Sequence, residues 1–400
     1  MSAPSTLPGN PAPHAQPLGL DNSLPTQPAK GNTSFVLQEI EKVSFEDRPI
    51  VAPARGQVQV NIRQTGLCAS DCHYLHHGRI GDFVVRKPMV LGHESSGIVT
   101  AVGEGVDTHK VGDRVALEPG VPCRSCPICL NGDYNHCPKL EFAATPPYDG
   151  TLCTYYNIHS TFAHKVPDTM TLEEASLMEP LSVAVYSAAM RGQVKAMQNV
   201  LVFGAGPIGL LAAAVCKAYS AKRVVVVDVI DSKLEFAKTF GATSTFKPSM
   251  PNAGESKMDA SVRNANTLLE QIGDDVLRKE GFDLVLECTG AEPCIQMGVW
   301  ALRPKGRFVQ VGMGRSEVEY PITRICVKEL EMTGSFRYGA GTYETSIALV
   351  ANKLIDVTRL VTHRYLFDDA EKAFATTTRG KGEDGQTAIK VQISQGPGQA

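Results

Sequence analysis

The chain has 400 residues, of which 43% are hydrophobic and 20% charged, with a formal net charge of −3. That length can bury a sizeable core and implies about two domains at roughly 150 residues each. Lys and Arg are spread along the chain, which excludes a polybasic nucleic-acid surface, and no apolar run reaches the roughly 18 residues of a membrane span.

Residues 1–32 hold Pro4, Pro8, Pro11, Pro13, Pro17, Pro25 and Pro28 among small polar residues, a composition expected to form a disordered tail. The stretch has neither the basic and apolar regions of a secretory signal nor the arginines of a mitochondrial presequence. With 11 cysteines in the chain, the expected compartment is a reducing one, the cytoplasm, where thiols act as metal ligands or core residues.

From Ser34, strand-like pieces such as SFVLQEI, VQVNIRQTG and SSGIVTAVG are punctuated by Gly, Pro and Asp, and predict a compact antiparallel β domain over residues 33–183. Past Pro180 the pattern changes. LSVAVYSAAM reads as a helix, NVLVFGAG as a buried strand entering a glycine turn, and PIGLLAAAVCKAYS as a helix. RVVVVD, FDLVLECTG and GRFVQVGM read as strands, with SKLEFAKTFG and AEPCIQMGVWALR as helices between them. The alternation predicts an α/β fold with a doubly wound parallel sheet over residues 184–328. Residues 248–266 are polar and read as a surface excursion before the helix NTLLEQIGDDVLRKE. Residues 329–393, ending in TAIKVQI, are expected to return to the β domain, leaving a short tail at 394–400. No internal repeat is visible.

The turn Gly204-Ala205-Gly206-Pro207-Ile208-Gly209 follows an apolar strand and opens a helix. The first glycine permits the tight turn, the second lets a pyrophosphate approach the backbone, and the third lets helix and strand pack closely. The next strand ends in Asp228, about twenty residues on, where a carboxylate can accept from a ribose 2′-hydroxyl. No arginine follows at Val229 or Ile230, so NAD is expected over NADP. The plain alternative is a glycine turn in another α/β protein whose aspartate only caps a helix.

Cys123, Cys126, Cys129 and Cys137 lie in the loop VPCRSCPICLNGDYNHC. Three at two-residue gaps and a fourth after seven residues can converge tetrahedrally on one ion. Four thiolates leave no vacancy for substrate, so a zinc here is expected to stabilise a lobe over residues 118–140. Upstream, Cys68 in TGLCASDCHY and His93 and Glu94 in PMVLGHESSG form a second candidate set. Thiolate, imidazole and carboxylate can hold Zn²⁺ with one position open for water or a substrate oxygen. Singly, each reads more simply as core filler, a satisfied histidine and a surface acid.

GHE, the CASD segment, the four-cysteine lobe and GAGPIG, in this order, resemble the zinc-dependent medium-chain dehydrogenases. HGRIGDFVVRKPMVLGHES, ALEPG, FAATPPYDGTL, MEPLSVAV and GSFRYGAG resemble their polyol branch, in particular the fungal-type xylitol dehydrogenases (D-xylulose reductases), from about Ser34 to Ile393. The resemblance implies a GroES-like catalytic domain and a Rossmann domain with the active site in the cleft between them. It also implies NAD and two zincs per chain, one catalytic and one structural. Cys68, His93 and Glu94 would be the catalytic zinc ligands, with Glu179 a fourth ligand or the carboxylate holding a metal-bound water. Ser70 and His73 match the proton relay; Tyr74, Phe142, Glu179, Arg337 and Tyr338 match substrate contacts. Pro207, Ile208, Lys233, Val311, Gly312, Met313, Ser335, Phe336 and Arg337 fall where NAD is held, with the three glycines and Asp228. Leu75 stands where polyol dehydrogenases often carry an aromatic, and Cys72 is an extra thiol expected to be a bystander. The implied reaction is NAD-dependent oxidation of xylitol to D-xylulose, with L-arabinitol and sorbitol as alternatives and a non-catalytic binding protein as a remote one. The implied assembly is a homodimer or homotetramer, with no nucleic-acid or membrane partner.

Overall fold

A computed structural model describes residues 31–272 and 274–396. The tail expected over 1–32 lies outside the described residues except for its last two, and a strand already begins at Asn32. The chain divides into two compact units, one made of residues up to 117, 142–163 and 360 onward, the other of residues 118–141 and 164–359.

The first unit is built on the strand Gln57–Gly66, in which Val58, Val60 and Ile62 alternate along one buried face. Along its whole length this strand pairs antiparallel with Glu94–Val102. Its other edge is shared: residues 57–61 pair with Tyr155–His159, and residues 64–66 with Lys390–Ser394. Arg114–Leu117 and Val361–Leu366 extend the sheet on either side. Phe35, Leu37, Leu91, Leu152, Phe367, Phe374 and Ile393 belong to the cluster that fills this unit.

The second unit is built on a six-stranded sheet of Asn199–Phe203, Arg223–Val227, Ser244–Phe246, Phe282–Glu287, Leu302–Gln310 and Glu331–Gly334. Every neighbouring pair is parallel. Numbered one to six in chain order, they lie in the order 3-2-1-4-5-6. The order reverses between the first and fourth strands, and ligands of such sheets bind beyond the strand ends at that point. Val200, Leu201, Val202 and Phe203 are fully buried, as a central strand covered on both faces requires.

Three features differ from the sequence-based expectation. The sixth strand lies beyond residue 328, and the helix Thr342–Ala351 packs on Met178–Val185, so the parallel-sheet unit runs on to residue 359. The four-cysteine lobe groups with this unit and not with the antiparallel one. The stretch 248–266 is a surface excursion only in its first half: a helix starts at Lys257 and runs to Ile272. Ala260, Ser261, Asn264, Ala265 and Leu268 are its buried face, packed on the helix Glu292–Ala301. Small and polar residues on that face hide the helical period from a hydrophobicity reading. The helix then ends, and Asp274 caps a separate one, Asp275–Glu280, by accepting from the Leu277 N–H at 2.9 Å. Among the described residues, no helix is long and apolar enough to cross a membrane.

Candidate active site

The pairing of Gly66 with Glu94 decides what the antiparallel unit can bind. Cys68 follows the end of one strand and Glu94 opens its partner, so the register brings both to one sheet end, with His93 one residue ahead. A Cβ at Gly66 would lie 2.2 Å from Glu94 Oε2, so only glycine lets the carboxylate take this place. One donor atom each from Cys68, His93 and Glu94 lies within 4.8 Å of the others. Asp71, fully buried in the helix Ala69–His77, organises the set. Its Oδ1 accepts from the Gly92 N–H at 2.9 Å, while Oδ2 accepts from the Cys68 N–H at 3.3 Å and lies 3.3 Å from His93 Nδ1. A carboxylate on one imidazole nitrogen leaves the other to face an ion. Burial of His93 opposes its charging, but Asp71 and then Cys68 outweigh this and hold its pKa well above the ordinary value.

Lys390 closes the set from the last strand. Its Nζ donates to both Glu94 oxygens, at 2.8 and 2.6 Å, and to the Leu67 carbonyl at 3.1 Å, with both side chains about 2% exposed. Phe142 packs its ring 5.9 Å from that of His93. In the same helix as Asp71, Ser70 is half-buried and His73 exposed, while Tyr74 is only 3% exposed inside the hydrophobic cluster. Cys72 is in that cluster too, and burial pushes its thiol up to about 12, which keeps it an inert bystander.

In the lobe, sulfur separations are 3.8 Å for Cys123–Cys129, 3.4 Å for Cys126–Cys129 and 4.0 Å for Cys126–Cys137. A tetrahedral site with Zn–S bonds of about 2.3 Å sets sulfurs roughly 3.8 Å apart, so the four thiols fit that ion. Backbone N–H groups of Ser125 and Cys126 favour the Cys123 thiolate and bring its pKa down to about 6.

In the parallel-sheet unit the glycine turn sits between the first strand and the helix Pro207–Ala218. Gly204 has φ +95°, and a Cβ at Gly209 would lie 1.9 Å from the Gly204 carbonyl oxygen. A Cβ at Gly206 would meet nothing within 4 Å, so the space over the helix N-terminus, past Pro207 and Ile208, is an open cradle of the kind a pyrophosphate fills. Asp228 braces the turn: Oδ2 accepts from the Ala205 N–H at 2.8 Å and Oδ1 from the Ile230 N–H at 2.9 Å. Lys233 lies in the first turn of the helix Asp231–Thr239. Val311, Gly312 and the exposed Met313 follow the fifth strand, and the Val311 and Gly312 N–H groups donate to the Glu287 carbonyl at 2.9 and 2.8 Å. Ser335 follows the sixth strand, its N–H on the Gln310 carbonyl at 2.9 Å. Beyond Phe336, Arg337 is held at φ +55° with its guanidinium 4.9 Å from the Phe336 ring, and Tyr338 is 2% exposed. Glu179 is buried in the helix Met178–Val185 of the same unit.

Two family models match this chain, the "alcohol dehydrogenase GroES-like domain" over residues 54–168 and the "zinc-binding dehydrogenase" over residues 207–352. The chain is 49% identical over 374 residues to a "probable D-xylulose reductase A" of Emericella nidulans, covering 93% of this chain and 99% of the relative. It is 49% identical over 352 residues to a "D-xylulose reductase A" of Aspergillus oryzae, covering 88% and 95%. The chain belongs to the zinc-binding dehydrogenases. Its fold is also that of solved members of this class. An L-idonate 5-dehydrogenase from Escherichia coli superposes with TM-score 0.78 at 28% identity, covering 91% of this chain and 98% of that one. An E. coli CFT073 alcohol dehydrogenase complexed with NADH gives TM-score 0.79 at 29% identity, covering 91% and 99%. The antiparallel unit is thus the GroES-like part of a zinc-binding dehydrogenase and the parallel sheet its Rossmann part.

Several residues that organise this dehydrogenase were not singled out by sequence. Asp71 stands in the CASD segment, but its role as an orienter of His93 needs the fold. Lys390 reads as an ordinary strand lysine. Glu287, fully buried, accepts from the Thr289 N–H and hydroxyl, from the Gly290 N–H at 2.8 Å and from Gln310 Nε2 at 2.6 Å. It ties the fourth and fifth strand ends together beside the glycine turn, in a segment where hydrophobic patterning shows only a strand.

Proposed function

We propose that this zinc-binding dehydrogenase is an NAD-dependent polyol dehydrogenase that interconverts xylitol and D-xylulose, with two zinc ions per chain. The convergence of thiolate, imidazole and carboxylate at Cys68, His93 and Glu94 carries the reading, and the D-xylulose reductases it resembles at 49% identity supply the substrate. Cys68, His93 and Glu94 would hold the catalytic ion, and Cys123, Cys126, Cys129 and Cys137 the structural one. When bound, the catalytic zinc supplies Lewis acidity that makes a secondary alcohol more acidic, and NAD supplies the hydride acceptor.

The chain's own residues then orient and deprotonate. Asp71 fixes the His93 ring, and Lys390 fixes the Glu94 carboxylate. Ser70 and His73 would stand on the path by which the alcohol proton leaves, with water and the cofactor ribose between them; partial desolvation, then His77 and His76, lower the pKa of His73, which favours the neutral ring able to accept. Arg337, Tyr74 and Glu179 are the candidate partners for the remaining hydroxyls, with Phe142 and Tyr338 as further substrate contacts, and a substrate lacking those groups would leave buried polar atoms unmatched. Glu179 acts in this scheme as a substrate contact, with a direct bond to the ion or to its water as the variant form. Asp228 accepts from the adenosine ribose; no cation at Val229 or Ile230 offsets a 2′-phosphate, which favours NAD. A reducing cytoplasm suits 11 cysteines none of which is in a disulfide.

Assembly into a dimer or tetramer is supported by the sixth strand, an open sheet edge with Met332 exposed, near the exposed Ile322 and Val327. The deciding measurement is kcat/KM for xylitol, sorbitol and L-arabinitol, each with NAD and NADP. Xylitol with NAD is expected to lead; a clear preference for L-arabinitol or for NADP would overturn that part of the reading.

A further inference from the structure

The seven residues between Cys129 and Cys137 do more than close a metal loop. Two of them, Asn135 and His136, touch the segment that follows the sixth strand, and two more, Gly132 and Tyr134, stand close to it or are linked to it through other side chains. Asn135, 4% exposed, donates from Nδ2 to the Phe336 carbonyl at 2.9 Å. His136 stacks on the Phe336 ring at 6.0 Å. The Gly132 carbonyl oxygen lies 3.9 Å from where a Cβ of Gly339 would be. The Tyr134 hydroxyl donates to Glu118, whose other oxygen is 2.7 Å from His164 Nε2. The His164 ring stacks at 4.7 Å on Tyr343, which packs edge-on against Tyr338 at 5.5 Å. The lobe therefore holds Phe336 directly and reaches Tyr343 through Glu118 and His164.

What it grips is under strain. Arg337 is a non-glycine residue at φ +55°, a sparsely populated conformation that persists only where neighbours over-determine it. Its support on the amino side is the Asn135 bond to the Phe336 carbonyl, immediately before it. The arc that carries Asn135 is anchored at each end by a cysteine of the four-thiol set.

We propose that the arc 130–136 is a positioning element for the turn at Phe336, Arg337 and Tyr338, so that the four-cysteine lobe sets polyol affinity as well as stability. This rests on the reading of Arg337 and Tyr338 as polyol contacts. Asn135 is the principal positioning residue, and His136 the second. A lobe that served stability alone would leave the turn unaffected by loss of one amide.

The test uses Asn135→Asp, which keeps the shape and replaces the donor with an acceptor, in the full-length zinc-loaded enzyme. Amide hydrogen exchange across residues 335–339 is expected to speed up about ten-fold, the weight of one lost hydrogen bond, with exchange in the strand Asn199–Phe203 unchanged. KM for xylitol is expected to rise about ten-fold while kcat stays within about two-fold. Zinc content should stay that of the parent. Unchanged exchange at 335–339, or a fall in kcat at constant KM, overturns the proposal. Should Asn135→Asp fail to fold, His136→Ala, at an exposed position, decides by the same exchange measurement with a smaller change in the same direction. Arg337→Ala separates the two readings: if it leaves the xylitol KM unchanged, the substrate role of Arg337 fails, while the exchange data still report on the grip.

Discussion

Lys390 and Glu94 form an ion pair in which both side chains are about 2% exposed. Removing one partner of such a pair leaves an uncompensated buried charge, at a cost of roughly 3–5 kcal/mol. A metal on Glu94 would supply the missing positive charge, so the cost of Lys390→Met is expected to depend on loading. Thermal unfolding with and without chelator checks this: the chelated variant should lose far more Tm than the zinc-loaded one. Equal losses would argue against Glu94 as a ligand. At this scale the metal set was legible, because its residues stand in short motifs whose chemistry is local. Lys390 was not, because nothing in TAIKVQI distinguishes a surface lysine from one whose neighbour is 296 positions away. Asp228 is an intermediate case. A ribose role is expected from its place after a strand, but its two backbone bonds appear only in the fold. Asp228→Ser with Ile230→Arg is expected to shift the NAD-to-NADP ratio of kcat/KM towards NADP, and a ratio equal to the parent's would refute the ribose assignment.

Among elements, the glycine turn separates packing from binding. At Gly209 an added methyl would collide with the Gly204 carbonyl at 1.9 Å, whereas at Gly206 it would enter open space. Gly209→Ala is therefore expected to lower both Tm and NAD affinity. Gly206→Ala, at φ −83°, should keep the parent's Tm yet lose NAD affinity at least about ten-fold, because its methyl occupies the approach to the helix N-terminus. Calorimetry and cofactor titration on the two variants distinguish these outcomes; a Gly206→Ala protein that binds NAD normally would move the cofactor elsewhere. The turn was readable because strand, glycines and helix are contiguous. The helix Lys257–Ile272 was half missed because its inner face uses Ala, Ser and Asn, which fit close against the helix Glu292–Ala301 without carrying a hydrophobic period.

For the whole molecule, the sixth strand, an edge without a further strand among the described residues, is the feature with the widest reach. A free sheet edge flanked by apolar side chains is a liability unless another surface covers it. Val327, 72% exposed, is the most open of these side chains, and Val327→Glu is expected to lower the oligomeric state seen by sedimentation without altering the zinc content. A variant sedimenting as the parent does would count against this edge as an interface. The sheet itself was legible as alternating strands and helices. Its end was not: EMTG, the sixth strand, is too short and polar to announce itself, and only its pairing with Leu302–Gln310 makes it one.

The strand that carries Lys390 also pairs with residues 64–66, so the front of the polypeptide is finished by its back. While the ribosome is still adding residues, the antiparallel unit has an unfilled lane beside Gln57–Gly66, and Glu94 lacks its cation. A chain cut short before residue 390 would lack both the strand that fills that lane and the ammonium that meets Glu94, so this unit is expected to stay open until its last strand is made.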